Sequence, residues 1–385
     1  MKLRLSLSIL CSSLYFMVGA QQTINASITH DAIQRDYIIY IPANYTGTTA
    51  VPLLFNFHGY TSNANEQMWY GDFRSIADTA GFIIVHPEGT LDGTGTTHFN
   101  VGWGGSSVDD VSFTSALIDS ISGQYNINQD RVYSTGMSNG GFMSFRLACE
   151  LSDRIAGIAS VTGSILPGTL TNCSALHSTP VMQFHGTNDG TVPYAGAAGW
   201  TEPISSLVDY WANFNNCSVP PVIENVPDIN TADGSTVEKY SYLNGDNCTE
   251  VIHYKITNGA HTWPGTVFSS AGTNQDINAS VEIWKFLSQY DINGLVNCSS
   301  AGLKETVKSP TLTLYPNPAD NKLQIEGIQE LSGSYELIIT DLSGAIVLTS
   351  DNTGESFDIS DLSSGFYIVN IKNSKEEFTI KFTKK

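Results

Sequence analysis

Between residues 36 and 290 the chain keeps returning to one pattern: a short, continuously apolar run, then a stretch with helical spacing. The runs include Tyr37-Ile38-Ile39-Tyr40-Ile41, Leu53-Leu54-Phe55-Asn56-Phe57, Phe82-Ile83-Ile84-Val85 and Val132-Tyr133-Ser134-Thr135, with two more at 155–161 and 181–184. Helical spacing covers 72–80, ending at Gly81, and 140–151 and 278–290. A further helix is expected with Ser107 as its cap, running through Val111, Ala116 and Ile118, with Asp109 and Asp110 in its first turn, where carboxylates suit the helix dipole. A strand that is apolar on every residue must be covered on both faces. Such strands alternating with helices therefore predict a mostly parallel sheet with helices on both faces, an α/β fold.

The pattern changes after Gly294. Residues 295–311 are small and polar and read as a linker. From 312 to 385 short strands are punctuated by Pro316-Asn317-Pro318, Ser343-Gly344 and Ser364-Gly365, which predicts a small all-β sandwich. Phe357, Phe366, Tyr367 and Phe378 fall in strands and are expected in its core. A carbohydrate-binding module would instead expose an aromatic platform. Residues 1–20 read as a signal peptide: Lys2 and Arg4, an apolar stretch, then Val18-Gly19-Ala20 before a cut. That leaves 21–294 as the main domain. No later segment is long and apolar enough to span a membrane.

Export permits disulfides. The mature chain keeps Cys149, Cys173, Cys217, Cys248 and Cys298, an odd number. Four cysteines can pair in three ways, and Cys298, in the linker, is the expected odd thiol. No cysteine pair has zinc spacing, so neither metal nor cofactor is expected. The formal charge of −19 opposes binding to nucleic acid.

Gly136-Met137-Ser138-Asn139-Gly140-Gly141 follows one predicted strand and opens one predicted helix. In that context a Gly-x-Ser-x-Gly motif is a nucleophile elbow, with flanking glycines that allow a tight turn lifting the serine hydroxyl into a cleft. A serine nucleophile needs a base, and the base needs an acid to orient it. In α/β-hydrolases the acid and then the histidine follow the serine in the chain. Asp189, in the loop after the 181–184 strand, and His261, in Asn258-Gly259-Ala260-His261, occupy those slots. His185 and His253 end or interrupt strands and are expected to bond locally. The oxyanion donors are expected to be the N–H groups of Asn139 and of Tyr60, in Phe57-His58-Gly59-Tyr60, with His58 supporting that loop. Trp103 and Trp263 lie in loops that could wall the substrate.

These segments, with His86-Pro87-Glu88-Gly89, Val108-Asp109-Asp110-Val111, Phe184-His185-Gly186-Thr187-Asn188-Asp189 and Ala260-His261-Thr262-Trp263-Pro264-Gly265, resemble the polyhydroxybutyrate-depolymerase-type esterases and the feruloyl and acetylxylan esterases of carbohydrate esterase family 1. The resemblance implies an α/β-hydrolase fold, a triad of Ser138, Asp189 and His261, and no cofactor. It also suggests a Cys217–Cys248 bridge, leaving Cys149–Cys173 as the second pair. Ala260 stands where glycine is common. The implied activity is ester hydrolysis, on feruloyl or acetyl esters of plant polysaccharide, with polyester depolymerisation as the alternative. A binding protein on an inactive scaffold would need a broken triad, whereas all three members are present. The tail, with Leu314-Tyr315-Pro316-Asn317-Pro318-Ala319, Asp341-Leu342-Ser343-Gly344, Leu362-Ser363-Ser364-Gly365-Phe366-Tyr367 and its basic end, resembles the sorting domains of type IX secretion. That implies the secretion machinery as a partner and an extracellular or cell-surface location.

Overall fold

The computed structural model describes residues 21–298, 312–326, 336–341, 345–350, 356–372 and 377–385. The signal-peptide reading of 1–20 and the linker reading of 299–311 lie outside the described residues. The chain divides into two compact units, Met1–Ser299 and Ser300–Lys385.

The first unit runs β1 (Gln22–His30), β2 (Ile33–Ile41), β3 (Val51–Phe57), α1 (Ala64–Tyr70), α2 (Arg74–Ala80), β4 (Ile83–Pro87), β5 (Thr90–Leu91), β6 (Thr97–His98), α3 (Asp110–Ser122) and β7 (Ile127–Met137). It continues with α4 (Asn139–Glu150), β8 (Gly157–Val161), β9 (Val181–Gly186), α5 (Ile204–Phe214), β10 (Val222–Asn225), β11 (Thr236–Tyr242), β12 (Val251–Thr257), α6 (Ala279–Leu287), β13 (Tyr290–Asp291) and β14 (Gly294–Leu295). Ten strands form one sheet in the order β1-β2-β4-β3-β7-β8-β9-β12-β11-β10. The middle, from β4 to β12, is parallel throughout. The outer strands are antiparallel.

Strand alternation sends neighbouring side chains into two separate cores. Leu53, Phe55, Val85 and Val132 join α3, α4 and α5 on one face. Leu54, Ile84, Tyr133 and Phe184 join Phe73, Ala77 and α6 on the other. This two-sided burial is what the unbroken apolar runs encode.

Local details differ from expectation at several points. The helix expected to be capped by Ser107 is capped by Asp109, whose carboxylate accepts from Val111 N–H and Ser112 N–H. An ionised cap directly before the first helical residue satisfies two free N–H groups at once. Gly81 ends α2 with φ of 74°, the left-handed conformation glycine adopts cheaply. The first unit also extends beyond 294. Leu295 pairs with Tyr290, and Cys298 is bonded into the unit.

The second unit is all β: β15 (Thr313–Tyr315), β16 (Lys322–Glu326), β17 (Glu336–Asp341), β18 (Ile346–Ser350), β19 (Ser356–Asp358), β20 (Gly365–Lys372) and β21 (Glu377–Lys384). Its two antiparallel sheets, β15-β16-β19 and β18-β17-β20-β21, share one core that takes Leu323 and Phe357 from the first, and Ile339 and Val369 from the second. Tyr367 is buried there, but Phe366 is 64% exposed. Adjacent strand residues face opposite ways, so only one of the two could enter the core.

Candidate active site

Ser138 sits between β7 and α4 with φ of 54°, a conformation that strains a non-glycine residue. The glycines around it are required by space. A Cβ on Gly136 would lie 2.6 Å from the Phe57 carbonyl oxygen, and one on Gly140 would lie 2.2 Å from it. β3 therefore presses directly against the turn, and only hydrogen fits. The Asn139 side chain holds the Phe99 backbone at both ends: Oδ1 accepts from Phe99 N–H at 2.7 Å, and Nδ2 donates to Phe99 C=O at 3.0 Å. Its own N–H, in the first turn of α4, has no intrahelical acceptor.

β9 ends in the turn that carries Asp189. This carboxylate is 5% exposed and richly supplied with donors. Oδ1 accepts from Thr191 N–H and Val192 N–H, each at 2.8 Å. Oδ2 lies 2.8 Å from His261 Nδ1 and 3.3 Å from His185 Nε2. Burial alone would push the carboxyl pKa up, but the hydrogen bonds from His185 and His261 outweigh it and hold the group well below the usual range. Asp189 is thus an anion, and the proton between it and His261 sits on Nδ1. His261 Nε2 is left free, and His261 lines the same cavity as Ser138.

His185, His253 and His58 bond locally. Gln183 Nε2 donates to His185 Nδ1 at 3.0 Å, so His185 carries its proton on Nε2 and donates to Val192 C=O at 2.8 Å. His253 Nδ1 donates to Gln183 C=O at 3.1 Å and its Nε2 accepts from Tyr194 O–H at 2.8 Å. In His58 the backbone fixes the tautomer. Nδ1 must donate to Gly59 C=O at 2.7 Å, because Nε2 accepts from Gly89 N–H at 2.9 Å. That carbonyl belongs to the same peptide unit as the Tyr60 N–H, so His58 clamps the peptide that presents it.

Burial lowers His58 to about 4 and His86 and His253 to about 3, from 6.5. A histidine lowered on folding binds fewer protons folded than unfolded. Its stabilisation is complete above pH 6.5 and is lost as pH falls toward its folded value, each tenfold change in proton affinity being worth about 1.4 kcal/mol. The lowered Asp189 acts with the same sign at still lower pH. The unfolding midpoint should therefore fall continuously between pH 7 and 4 in calorimetry at 0.15 M salt, where repulsion within this acidic chain is screened. A flat midpoint would show these histidines to be solvated.

Two cavities meet at Ser138. The first, about 490 Å³, is lined by Tyr60, Trp69, Tyr70, Met137, His261 and Phe268 among others. The second, about 370 Å³, is lined by Tyr60, Asp92, His98, Trp103, Val192 and Trp200 among others. Trp103 thus stands beside the serine, edge-on to Phe142 at 5.1 Å. Trp263 does not. It is 1% exposed, packs edge-on against Phe73 and donates from Nε1 to Ser280 Oγ at 3.2 Å. It is a core residue, because the chain after His261 turns inward under α1 instead of along the cleft. Trp69, Tyr70, Trp200 and Phe268 went unnoticed in the sequence. Periodicity places strands and helices, not the loop and short-helix residues that line a cleft.

The disulfides also correct the sequence reading. Cys149 and Cys173 are bonded. Cys248 is bonded to Cys298, not to Cys217, which is the buried free thiol. The β13–β14 hairpin turns the chain back so that Gly294 packs on Asn247, where a Cβ would meet the Asn247 Cβ at 2.5 Å. Cys298 then falls beside Cys248. Burial pushes the Cys217 thiol up to about 11, and its Sγ lies 3.6 Å from the Thr249 carbonyl oxygen.

Residues 110–216, from α3 to just past α5, match the phospholipase/carboxylesterase family, and residues 313–385 match the secretion system C-terminal sorting domain. The first unit has the α/β-hydrolase fold, a mostly parallel sheet with helices on both faces. A bifunctional acetylxylan esterase/xylanase of Neocallimastix patriciarum is 27% identical over 281 residues, covering 73% of this chain and 37% of that protein. Feruloyl esterase B of Piromyces equi is 29% identical over 223 residues, covering 55% of this chain and 40% of that protein. The chain thus spans well under half the length of these two relatives. The solved acetyl xylan esterase from Aspergillus awamori aligns with 69% of this chain and 99% of its own at a TM-score of 0.49 and 12% identity. The sorting domain after the hydrolase marks the protein for secretion or attachment at the outer surface. Among the described residues, no helix is long and apolar enough to cross a membrane.

Proposed function

We propose that the protein is a secreted serine ester hydrolase that works through an acyl-enzyme on feruloyl or acetyl esters of plant polysaccharide. The observation that carries the reading is the 2.8 Å bond from His261 Nδ1 to the buried, anionic Asp189, with Ser138 on the same cavity wall. Asp189 fixes the tautomer, so Nε2 of His261 takes the Ser138 proton as the hydroxyl attacks the ester carbonyl. The N–H groups of Asn139 and Tyr60 receive the oxyanion, with the dipole of α4 behind them. His261 then protonates the departing alcohol, and water repeats the cycle to release the acid. The esterase relatives support the ester, and their names supply the polysaccharide acyl classes.

A fluorophosphonate should label the mature protein on Ser138, read by mass spectrometry. Labelling elsewhere, or activity surviving without any label, overturns the assignment. A panel of p-nitrophenyl acetate, methyl ferulate, acetylated xylan and polyhydroxybutyrate separates polysaccharide esters from polyester. Exposed Trp69 and Phe268 at the cleft rim are what a polyester would exploit.

The second unit is proposed to fold apart from the hydrolase and to engage the secretion machinery. A chain ending at residue 299 should then keep full activity on small esters. A chain ending at residue 294 loses Cys298 and with it the bridge to Cys248. That bridge closes a separation of 50 residues, so its loss should cost about 4 kcal/mol and several degrees in the unfolding midpoint. Equal midpoints for the two chains would show that the bridge does not form.

A further inference from the structure

His185 is a buried titratable group beside the triad that the chemistry at Ser138 does not use. It is 0% exposed and lines neither cavity at Ser138. An imidazole so placed is costly unless both of its nitrogens are engaged. Both are. Gly163 C=O can only accept, so the Gln183 side-chain atom 3.0 Å from it is the amide nitrogen. The same nitrogen carries a second hydrogen and lies 3.0 Å from His185 Nδ1, which therefore accepts. Turning the amide over would set its oxygen against the Gly163 carbonyl oxygen, so the amide has one orientation. The proton of the neutral imidazole is left on Nε2.

That Nε2–H points into the turn that carries the triad acid. It donates to Val192 C=O at 2.8 Å and has Asp189 Oδ2 as a second acceptor at 3.3 Å. Val192 N–H in turn donates to Asp189 Oδ1 at 2.8 Å. His185, Val192 and Asp189 thus close a ring that holds the carboxylate at both oxygens. Oδ2 is left facing His261 Nδ1 at 2.8 Å. Charge matters as much as position. A neutral donor leaves Asp189 its charge to set against the imidazolium that His261 becomes during attack. A second imidazolium 3.3 Å away would compensate that charge. An imidazolium would need an acceptor at Nδ1, and the Gln183 nitrogen there is a donor.

We propose that His185 is a positioning residue of the triad: locked by Gln183 as a neutral Nε2–H donor, it fixes both oxygens of Asp189 and so aims His261 at Ser138. The proposal rests on the serine acyl-enzyme reading above.

Two substitutions separate the donor from the bulk of the ring. His185→Gln keeps an NH₂ where Nε2 stood, because Val192 C=O and the Asp189 carboxylate can only accept from it. His185→Met has a similar length and no donor. On p-nitrophenyl acetate, His185→Met should lose roughly 10- to 100-fold in kcat with KM changed by less than about twofold, and His185→Gln should recover most of the loss. The downfield ¹H resonance of His261 Nδ1–H reads the same geometry without reference to rate. It should move in His185→Met and return in His185→Gln. A third measurement requires no variant to fold. In the wild type, the ¹⁵N shifts of His185 should show a protonated Nε2 and an unprotonated Nδ1 at the pH of the assay. A proton on Nδ1 overturns the proposal. So does folded His185→Met with wild-type kcat and an unmoved resonance, or an equal loss in His185→Gln and His185→Met. A wild type that neither turns over p-nitrophenyl acetate nor labels at Ser138 would defeat the underlying serine mechanism instead. Normal turnover that is indifferent to these substitutions defeats only this inference.

Discussion

Ser138→Ala and His261→Ala should each lower kcat on p-nitrophenyl acetate by on the order of 10⁶-fold, the scale seen when a serine hydrolase loses its nucleophile or its base. The serine hydroxyl stands where the two cavities meet, and it becomes nucleophilic only if His261 Nε2 removes its proton as it attacks. Neither neighbouring histidine can substitute. His185 has its Nε2 proton directed to Val192 C=O, and His58 Nε2 already accepts from Gly89 N–H. Because base and nucleophile act as one unit, Ser138→Ala combined with His261→Ala should be barely worse than either alone. Ser138 is buried at 8% exposure but occupies a strained backbone, so Ser138→Ala should be folded. Circular dichroism checks that, and steady-state kinetics on the two singles and the double give the coupling. Additive losses would mean that the two side chains act in separate steps, and the proposed mechanism would be wrong.

The parts of this arrangement that the sequence exposed are those set by short-range rules. Apolar runs such as Leu53 to Phe57 announce buried strands because their two faces feed two cores. Gly136 and Gly140 announce the elbow because β3 leaves no room for a Cβ. Asp189 and His261 were legible because each follows a strand, and strand ends fix where a loop residue stands. Long-range choices were not legible in the same way. Cys298 reaches Cys248 only because a two-strand hairpin reverses the chain, and no local signal near either cysteine encodes that meeting. The edge strands β1 and β10 escaped notice because an edge needs little apolar surface; every residue of β10 is exposed. Trp69 takes the cleft position expected of Trp263 for a related reason. Both are aromatic residues outside the main periodic segments, and which one faces the cleft depends on how α1 packs over the chain after His261. Trp263 lies beneath, so close that a Cβ on Gly71 would come within 3.0 Å of its ring.

Asp189→Asn should cost on the order of 10⁴-fold in kcat, and the surrounding donors explain why so small a change does so much. An amide has one acceptor and one donor end, and the two ends are not free to choose. Thr191 N–H and Val192 N–H both point at Oδ1 from 2.8 Å, and neither can accept. The asparagine must therefore turn its carbonyl oxygen to them, which leaves its NH₂ facing His261 Nδ1. A donor there can be satisfied only if Nδ1 gives up its proton. The proton moves to Nε2, the nitrogen that has to accept from Ser138, and the base is held in the wrong tautomer. The buried site also loses the negative charge that stabilises the imidazolium formed during attack. His185 cannot restore it, because its own Nε2 proton adds a second donor 3.3 Å from the Oδ2 position that the NH₂ takes. The loss should therefore fall on kcat with little change in KM, since Asp189 lines neither of the two cavities at Ser138. Kinetics of the folded variant on p-nitrophenyl acetate decide the matter. Near-wild-type kcat would place the orienting acid elsewhere and dissolve the triad as drawn.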